Sequence, residues 1–391
     1  MESLFGFTKY TISEFKDWID NLRVARTILK IQQHHTYSPS YIHFKENNHF
    51  ELQKAMKNYH VAHNGWRDIG QHFTIFPDGT ILTGRNIEKS PACIYGQNAN
   101  SICIENLGNF EGNIERVDSF PSKYIVPRTV DVWLPKNYSN TKKYNVLYMH
   151  DGQMLFDATT TWNKQEWRVD EVASQLMKED KVRDFIVVAI WNIPNLRHMD
   201  LYPKKPYESL SNELKEKIQI EAKKSQFPFD DSKINSDNYL KFIVEELKPY
   251  IDKKYSVFTT ANHTAIMGSS MGGLISMYAL CEYPNVFGKA ACLSTHWIGF
   301  REFENNPIPE SFFVYMEKKL PEAKNHKIYF DYGTETLDAF YLKYEYRVDE
   351  ILKAKGYTDI DSRNLKFEGE NHSEASWQKR IHIPLEFMFG K

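Results

Sequence analysis

The chain has 391 residues, 41% hydrophobic and 26% charged, which excludes a disordered polymer and leaves room for two cores at roughly 100–200 residues per domain. Its 49 basic and 51 acidic residues nearly cancel, so no net field draws nucleic acid or an anionic membrane. The start of the chain has no basic stretch followed by an apolar one, and no run approaches the roughly 18 apolar residues of a membrane span, so a cytoplasmic protein is expected. In chain order, Phe15, Trp18, Ile19 and Leu22 recur at helical spacing, as do Leu52, Ala55, Met56 and Tyr59, and predict two amphipathic helices. A short strand ends at His34-His35. A hairpin runs from Phe73 to Leu82 about the turn Pro77-Asp78-Gly79, and Ser101 to Glu105 forms a further strand. This α/β pattern stops at a seam between Glu111 and Ser119, dividing a domain of residues 1–112 from one of residues 113–391.

Beyond the seam, strands are predicted at Thr129–Leu134, Tyr144–Met149, Phe185–Ile190, Thr264–Met267, Lys289–Leu293 and Ile328–Tyr332, with helices between them. Such alternation predicts a doubly wound α/β sheet. Leu240, Ile243, Val244, Leu247 and Ile251 make one helical stripe that Pro249 should bend or end. Lys204 to Lys233 is polar and charged, and reads as an insertion over one end of the sheet. The cysteines Cys93, Cys103, Cys281 and Cys292 lack CxxC spacing and read as mostly buried thiols.

Gly268-x-Ser270-x-Gly272 follows an apolar run and opens a helix-forming stretch, the context of a nucleophile elbow, where small neighbours let a serine sit on a tight strand-to-helix turn. A serine nucleophile needs a histidine to take its proton and a carboxylate to orient that histidine. Both follow in the order Ser, acid, His: Glu335 and Asp338 lie just past a late strand, and His372 lies in a loop before a closing helix. The developing oxyanion needs two backbone donors, expected at Met271, after the nucleophile, and at Gly152 or Gln153, after an early strand. Trp162 and Arg197 are candidate substrate contacts through stacking and charge. A glycine-rich turn with an ordinary serine is the plainer reading of the elbow, and it does not explain why its partners stand in order at strand ends.

Residues 114–391 resemble the enterochelin-esterase-like esterases, relatives of esterase D, feruloyl esterases and acetyl xylan esterases. The resemblance is carried by Val132-Trp-Leu-Pro135, Tyr148-Met-His-Asp-Gly-Gln153, Trp162, Gly268-Ser-Ser-Met-Gly-Gly273, Tyr332-Gly-Thr334 and Gly369-Glu-Asn-His372 with Trp377. It implies an α/β-hydrolase fold, no cofactor, and a small-molecule or carbohydrate ester as substrate. Many relatives carry an acid where this chain has Thr336, which leaves the orienting carboxylate open between Asp338, the preferred one, and Glu335.

Residues 8–110 carry Ile31-Gln-Gln-His34-His35-Thr36, Asn64-Gly-Trp-Arg-Asp-Ile-Gly-Gln-His72, Pro77-Asp-Gly79 and Ile104-Glu-Asn-Leu-Gly108, and resemble zinc-dependent N-acetylmuramoyl-L-alanine amidases and peptidoglycan recognition proteins. That resemblance implies His34 as a zinc ligand. A hydrolytic zinc needs about three protein ligands and an open water position. The remaining ligands belong beyond Asn106–Phe110, where the second domain begins instead, and Gln71 stands where several relatives have tyrosine. A truncated, vestigial or wall-binding domain with exposed sheet edges is therefore expected, with zinc only if it is functional. The leading expectation is a serine carboxylic-ester hydrolase acting on a siderophore-type or carbohydrate-linked ester. The alternatives are a zinc amidase acting on peptidoglycan, and a non-catalytic protein that binds cell-wall fragments.

Overall fold

The computed structural model describes all residues except 1, 37–38, 40–42, 46, 95, 109–111, 159–160 and 226–228. Glu111, where the seam read from the sequence begins, lies outside the described residues. The chain divides into two compact units, Met1–Phe110 and Glu111–Lys391. Among the described residues no helix is long and apolar enough to cross a membrane.

The first unit holds a six-stranded sheet with strands β1 Glu2–Leu4, β2 Phe7–Tyr10, β3 Lys30–His35, β4 Phe73–Ile75, β5 Ile81–Thr83 and β6 Ser101–Asn106, in the order β1-β2-β5-β4-β6-β3. β1 and β2, absent from the sequence reading, form a hairpin whose turn residues Phe5 and Gly6 have φ of 54° and 83°, the two positive values of a tight hairpin turn. Among the described residues the α-helices of this unit are Ile12–Asp20 and His49–Ala62. The second buries Phe50, Gln53 and Met56 and leaves Tyr59 exposed, so its inward face is rotated from the predicted stripe. The core is small: Phe7, Phe50, Met56, Ile69, Phe76, Leu82 and Leu107. At the sheet edge, Ile31 of β3 is 71% exposed. Cys93 and Cys103 are joined in a disulfide, against the expectation of thiols, whereas Cys281 and Cys292 are free and buried.

The second unit is built on an eight-stranded sheet of β7 Gly112–Phe120, β8 Arg128–Pro135, β9 Asn145–His150, β10 Phe185–Ile190, β11 Thr264–Ser269, β12 Lys289–Leu293, β13 Lys327–Gly333 and β14 Ser362–Phe367, in the order β14-β13-β12-β11-β9-β10-β8-β7. Strands β9 to β14 pair in parallel, and β8 runs antiparallel to both β10 and β7. This is the expected α/β-hydrolase arrangement. The central strands read as unbroken apolar runs because both faces are covered. In β9, Val146 and Tyr148 enter one core and Leu147 and Met149 the other. The two strands missing from the sequence reading, β7 and β14, are the edges; they are only partly buried, so their polar sequences carry no apolar run.

Pro249 does not end its helix. Ser236–Lys241 continues through a π-helical stretch, Phe242–Leu247, into Lys248–Lys254, so the wider turn falls just where proline withholds its N–H. The polar segment after Lys204 forms helices Lys204–Glu208 and Asn212–Lys224, anchored by Tyr207, Ile218 and Phe229.

Candidate active site

The site lies at the carboxyl ends of the parallel strands, where β9 reverses the winding order. Four non-glycine residues with left-handed φ follow successive strand ends there: Asp151 after β9 (57°), Ser270 after β11 (58°), Ser294 after β12 (43°) and Thr336 after β13 (55°). Each such conformation costs about 1–3 kcal/mol and persists only where its surroundings hold it.

Ser270 joins β11 to the helix Met271–Glu282 at φ 58° and ψ −120°. Its N–H donates to the Leu293 carbonyl at 2.9 Å, and its own carbonyl accepts from the N–H groups of Gly273, Leu274 and His296. The two glycines that flank it are not equivalent. A Cβ on Gly268 would stand 2.8 Å from the Gly272 carbonyl carbon, whereas one on Gly272 would meet the Cβ of His150 at 3.4 Å. The second contact also shows that the loop after β9 abuts the elbow. Among the described residues the Ser270 Oγ has no hydrogen-bond partner. Catalytic hydrogen bonds commonly tighten only with substrate present.

His372 Nδ1 bonds Asp338 Oδ1 at 2.5 Å, and Asp338 is fully buried. Asp338 Oδ2 accepts from Ser294 Oγ at 2.6 Å and from the Gly333 N–H at 2.7 Å. Burial works to raise the Asp338 pKa, but the His372, Ser294 and Gly333 hydrogen bonds outweigh it and hold the carboxyl below its ordinary range. Glu335 is exposed, and its backbone N–H bonds the Glu370 carbonyl at 3.1 Å. Of the two candidate acids, only Asp338 reaches the histidine.

A buried polar relay behind Asp338 went unread in the sequence. Ser294 Oγ accepts from Trp377 Nε1 at 2.9 Å and from an Arg380 guanidinium nitrogen at 3.0 Å. Arg380 forks onto Asp331 at 2.9 and 3.2 Å, and Tyr329 donates to the same carboxylate. With two donors aimed at it, the Ser294 hydroxyl must point its own hydrogen at Asp338. His296 was missed as well. Its N–H holds the Ser270 carbonyl, its ring bonds the Tyr341 hydroxyl at 2.7 Å, and burial, followed by the charge of nearby His372, keeps its pKa well below the usual value.

Gly152 and Gln153 open a short helical turn, Gly152–Met154, and among the described residues their N–H groups have no backbone acceptor; Met271 heads its helix in the same way. Gly152 sits so close to β10 that a Cβ would fall 2.6 Å from the Ala189 carbonyl carbon. Asp151 fixes this turn, gripped by Arg197 through two contacts of 2.7 Å and by Asn192 at 2.6 Å. Arg197 therefore serves the loop before any ligand. Trp162 is 84% exposed, and its neighbours tie it to the histidine loop: Asn163 bonds Glu374 at 2.8 Å, and Gln165 accepts from the Ala375 N–H at 3.0 Å. His150, fully enclosed and bonded to Tyr239, is pushed by burial to a pKa of about 4 and stays neutral. In the first unit, His34 is grouped with Cys93 and Cys103, and Gln71 is buried and bonded to Thr74.

Residues 126–383 match the family model Esterase, described as "Putative esterase". Protein YbbA of Bacillus subtilis, uncharacterized, is 24% identical over 273 residues, covering 68% of this chain and 93% of that protein. An endo-1,4-beta-xylanase/feruloyl esterase of Xylanibacter ruminicola is 22% identical over 285 residues, 71% of this chain and 31% of its own length. Among solved structures, an IroE-like serine hydrolase from Shewanella oneidensis superimposes with a TM-score of 0.49 at 17% identity, covering 70% of this chain and 78% of that one.

Proposed function

We infer the reaction from one premise: this chain belongs to the Esterase family and is a carboxylic ester hydrolase. The proposal is that Ser270 is the nucleophile, His372 the general base and acid, and Asp338 the carboxylate that orients it. Ser270 Oγ attacks the acyl carbonyl while His372 Nε2 takes its proton. The N–H groups of Met271 and of Gly152 or Gln153 receive the oxyanion. Collapse expels the alcohol, which takes the proton from His372, and leaves an acyl-Ser270. Water, deprotonated by His372, then releases the acid and restores the serine. Apart from substrate and water, every group in this sequence comes from the chain, so the proposed reaction calls on no cofactor.

The observation that carries this reading is the Asp338–His372 contact at 2.5 Å, made between loops 34 residues apart that follow the serine in order. For substrate we propose an ester with an aromatic acyl group, of hydroxycinnamoyl or catechoyl type, on a carbohydrate or siderophore alcohol. Two observations support it: Trp162 offers an open ring beside the histidine loop, and one relative bears the name feruloyl esterase. The zinc-amidase alternative gains nothing from the family match, which begins at residue 126. Hydrolysis of p-nitrophenyl acetate by wild type and Ser270→Ala, with a chelator throughout, tests the reaction. Turnover lost on substitution and indifferent to the chelator is the expected result; turnover kept by the variant refutes the assignment. A panel of methyl ferulate, a sugar acetate and a catecholate lactone tests the substrate class, and preference for the acetate would sink it.

A further inference from the structure

The first unit holds a donor cluster that the ester chemistry does not use. β3 and β6 pair in parallel with Gln32 opposite Cys103 and His34 opposite Glu105, so these four residues project from one face of the sheet. Cys93 is brought to that face by the turn after it: the Asn98 side chain accepts from the N–H groups of Cys93 and Ile94 at 2.9 and 3.2 Å, and Gln32 donates to the Gln97 carbonyl at 2.8 Å. Cys103 is held from the other side, its N–H donating to His72 Nδ1 at 3.0 Å. As a result one His34 ring nitrogen and the sulfurs of Cys93 and Cys103 lie within 4.8 Å of one another.

The face is under-satisfied. Among the described residues, His34 Nε2, Gln32 Oε1 and Glu105 Oε2 are all buried without a hydrogen-bond partner. Buried polar atoms are almost always paired, and three orphans on residues of one sheet face call for a missing partner. In the disulfide form the sulfurs are poor acceptors, and among the described residues none pairs with His34 Nε2. In the dithiol form, two thiolates and an imidazole make the borderline-soft set that Zn2+ takes in tetrahedral sites, with donor atoms roughly 3.5–3.8 Å apart.

We propose that His34, Cys93 and Cys103 form a redox-gated Zn2+ site, closed by the disulfide and opened by reduction. Two equivalents of a thiol reductant give the balanced step: the Cys93–Cys103 bond breaks, two cysteine thiols form, and the reductant leaves as its own disulfide. Zn2+ then displaces the two thiol protons and takes the lone pair of His34, with water in the fourth position. Oxidation by a disulfide reverses both events and expels the ion. The disulfide ties β6 to the turn after Cys93, and the ion would add β3 through His34, so the site exchanges one cross-link for a wider one. This set is not the amidase one, whose remaining ligands belong beyond residue 110, and it is independent of the esterase reading.

The test uses the full chain, reduced with a phosphine, freed of metal and titrated anaerobically with Co2+, then Zn2+. One equivalent of Co2+ should bind with thiolate-to-cobalt absorption, Zn2+ should displace it, and the oxidised chain should bind neither. His34→Gln should weaken binding more than about 100-fold, beyond the usual effect of losing a supporting residue, yet still form the disulfide on reoxidation, which reports its fold. Replacing Cys281 and Cys292 by serine should leave binding unchanged. If reduction loosens the first unit, recovery of its circular dichroism with Zn2+ supports the site. Failure to recover, a reduced folded chain without the thiolate band, or His34→Gln binding like wild type would each overturn it.

Discussion

Asp338→Asn should inactivate the esterase through the wrong histidine tautomer, with little change in fold. The carboxylate receives two obligatory donors at Oδ2, the Gly333 N–H and the Ser294 hydroxyl, whose hydrogen is directed there by Trp377 and Arg380. An asparagine at this position must turn its carbonyl oxygen toward those donors. Its NH2 then faces His372 Nδ1, where Oδ1 now accepts. Nδ1 becomes an acceptor, the ring proton moves to Nε2, and the base can no longer take a proton from Ser270. The equivalent exchange in a serine-protease triad costs about 10⁴ in kcat, or about 5.4 kcal/mol of barrier. Asp338→Ala leaves the tautomer free and should lose less activity, while losing more stability, because Ser294 and Gly333 keep unpaired buried donors at about 1–3 kcal/mol each. Steady-state kcat on a p-nitrophenyl ester, read beside thermal midpoints, separates the two variants. An asparagine variant within tenfold of wild type, or one more active than the alanine variant, would refute the tautomer argument.

Three other changes test the surroundings. Glu345 is buried against the Trp297 indole, and desolvation raises its pKa from 4.5 to about 8. The native state thus keeps a proton that the unfolded chain releases, and stability falls as pH rises between those values. At pH 7 the loss is about 3 kcal/mol, so Glu345→Gln should raise denaturant midpoints at pH 7 and flatten their slope between pH 5 and 8. An unchanged slope would show the carboxyl to be ionised. Gly268→Ala should abolish activity because its Cβ needs backbone to move, whereas Gly272→Ala, with its nearest contact at 3.4 Å, should remain folded within about 1 kcal/mol; equal damage from both would contradict the elbow geometry. Arg380→Met strands Asp331 as an unpaired buried charge and should cost about 3–5 kcal/mol in chemical denaturation, and an effect below 1 kcal/mol would mean the pair is not buried as described.

What was readable in the sequence was what local spacing and burial on both sides impose. Gly268, Ser270 and Gly272 announce the elbow because the turn itself excludes side chains, and the central strands announce themselves because both faces are apolar. Edge strands lack that signature: β7 spells Gly-Asn-Ile-Glu-Arg-Val-Asp-Ser-Phe and looks like linker until β8 pairs with it. The relay behind the histidine was unreadable for a different reason. Asp331, Ser294 and Arg380 are ordinary residue types separated by 37 to 86 positions, and only the sheet order makes them neighbours. Cys93 and Cys103 were misread because the rule for cysteine pairs looks for CxxC spacing, whereas here a strand and an Asn98-capped turn set the distance. The residues proposed to do the chemistry are therefore the more legible class, since such a reaction restricts their types and order. Those that hold them are restricted only by being complementary to one another, a property that first exists in the folded chain. That is why Asp338, ambiguous with Glu335 by sequence, is distinguished by its second oxygen: a carboxylate with two buried donors waiting behind it is pinned, and an exposed one is not.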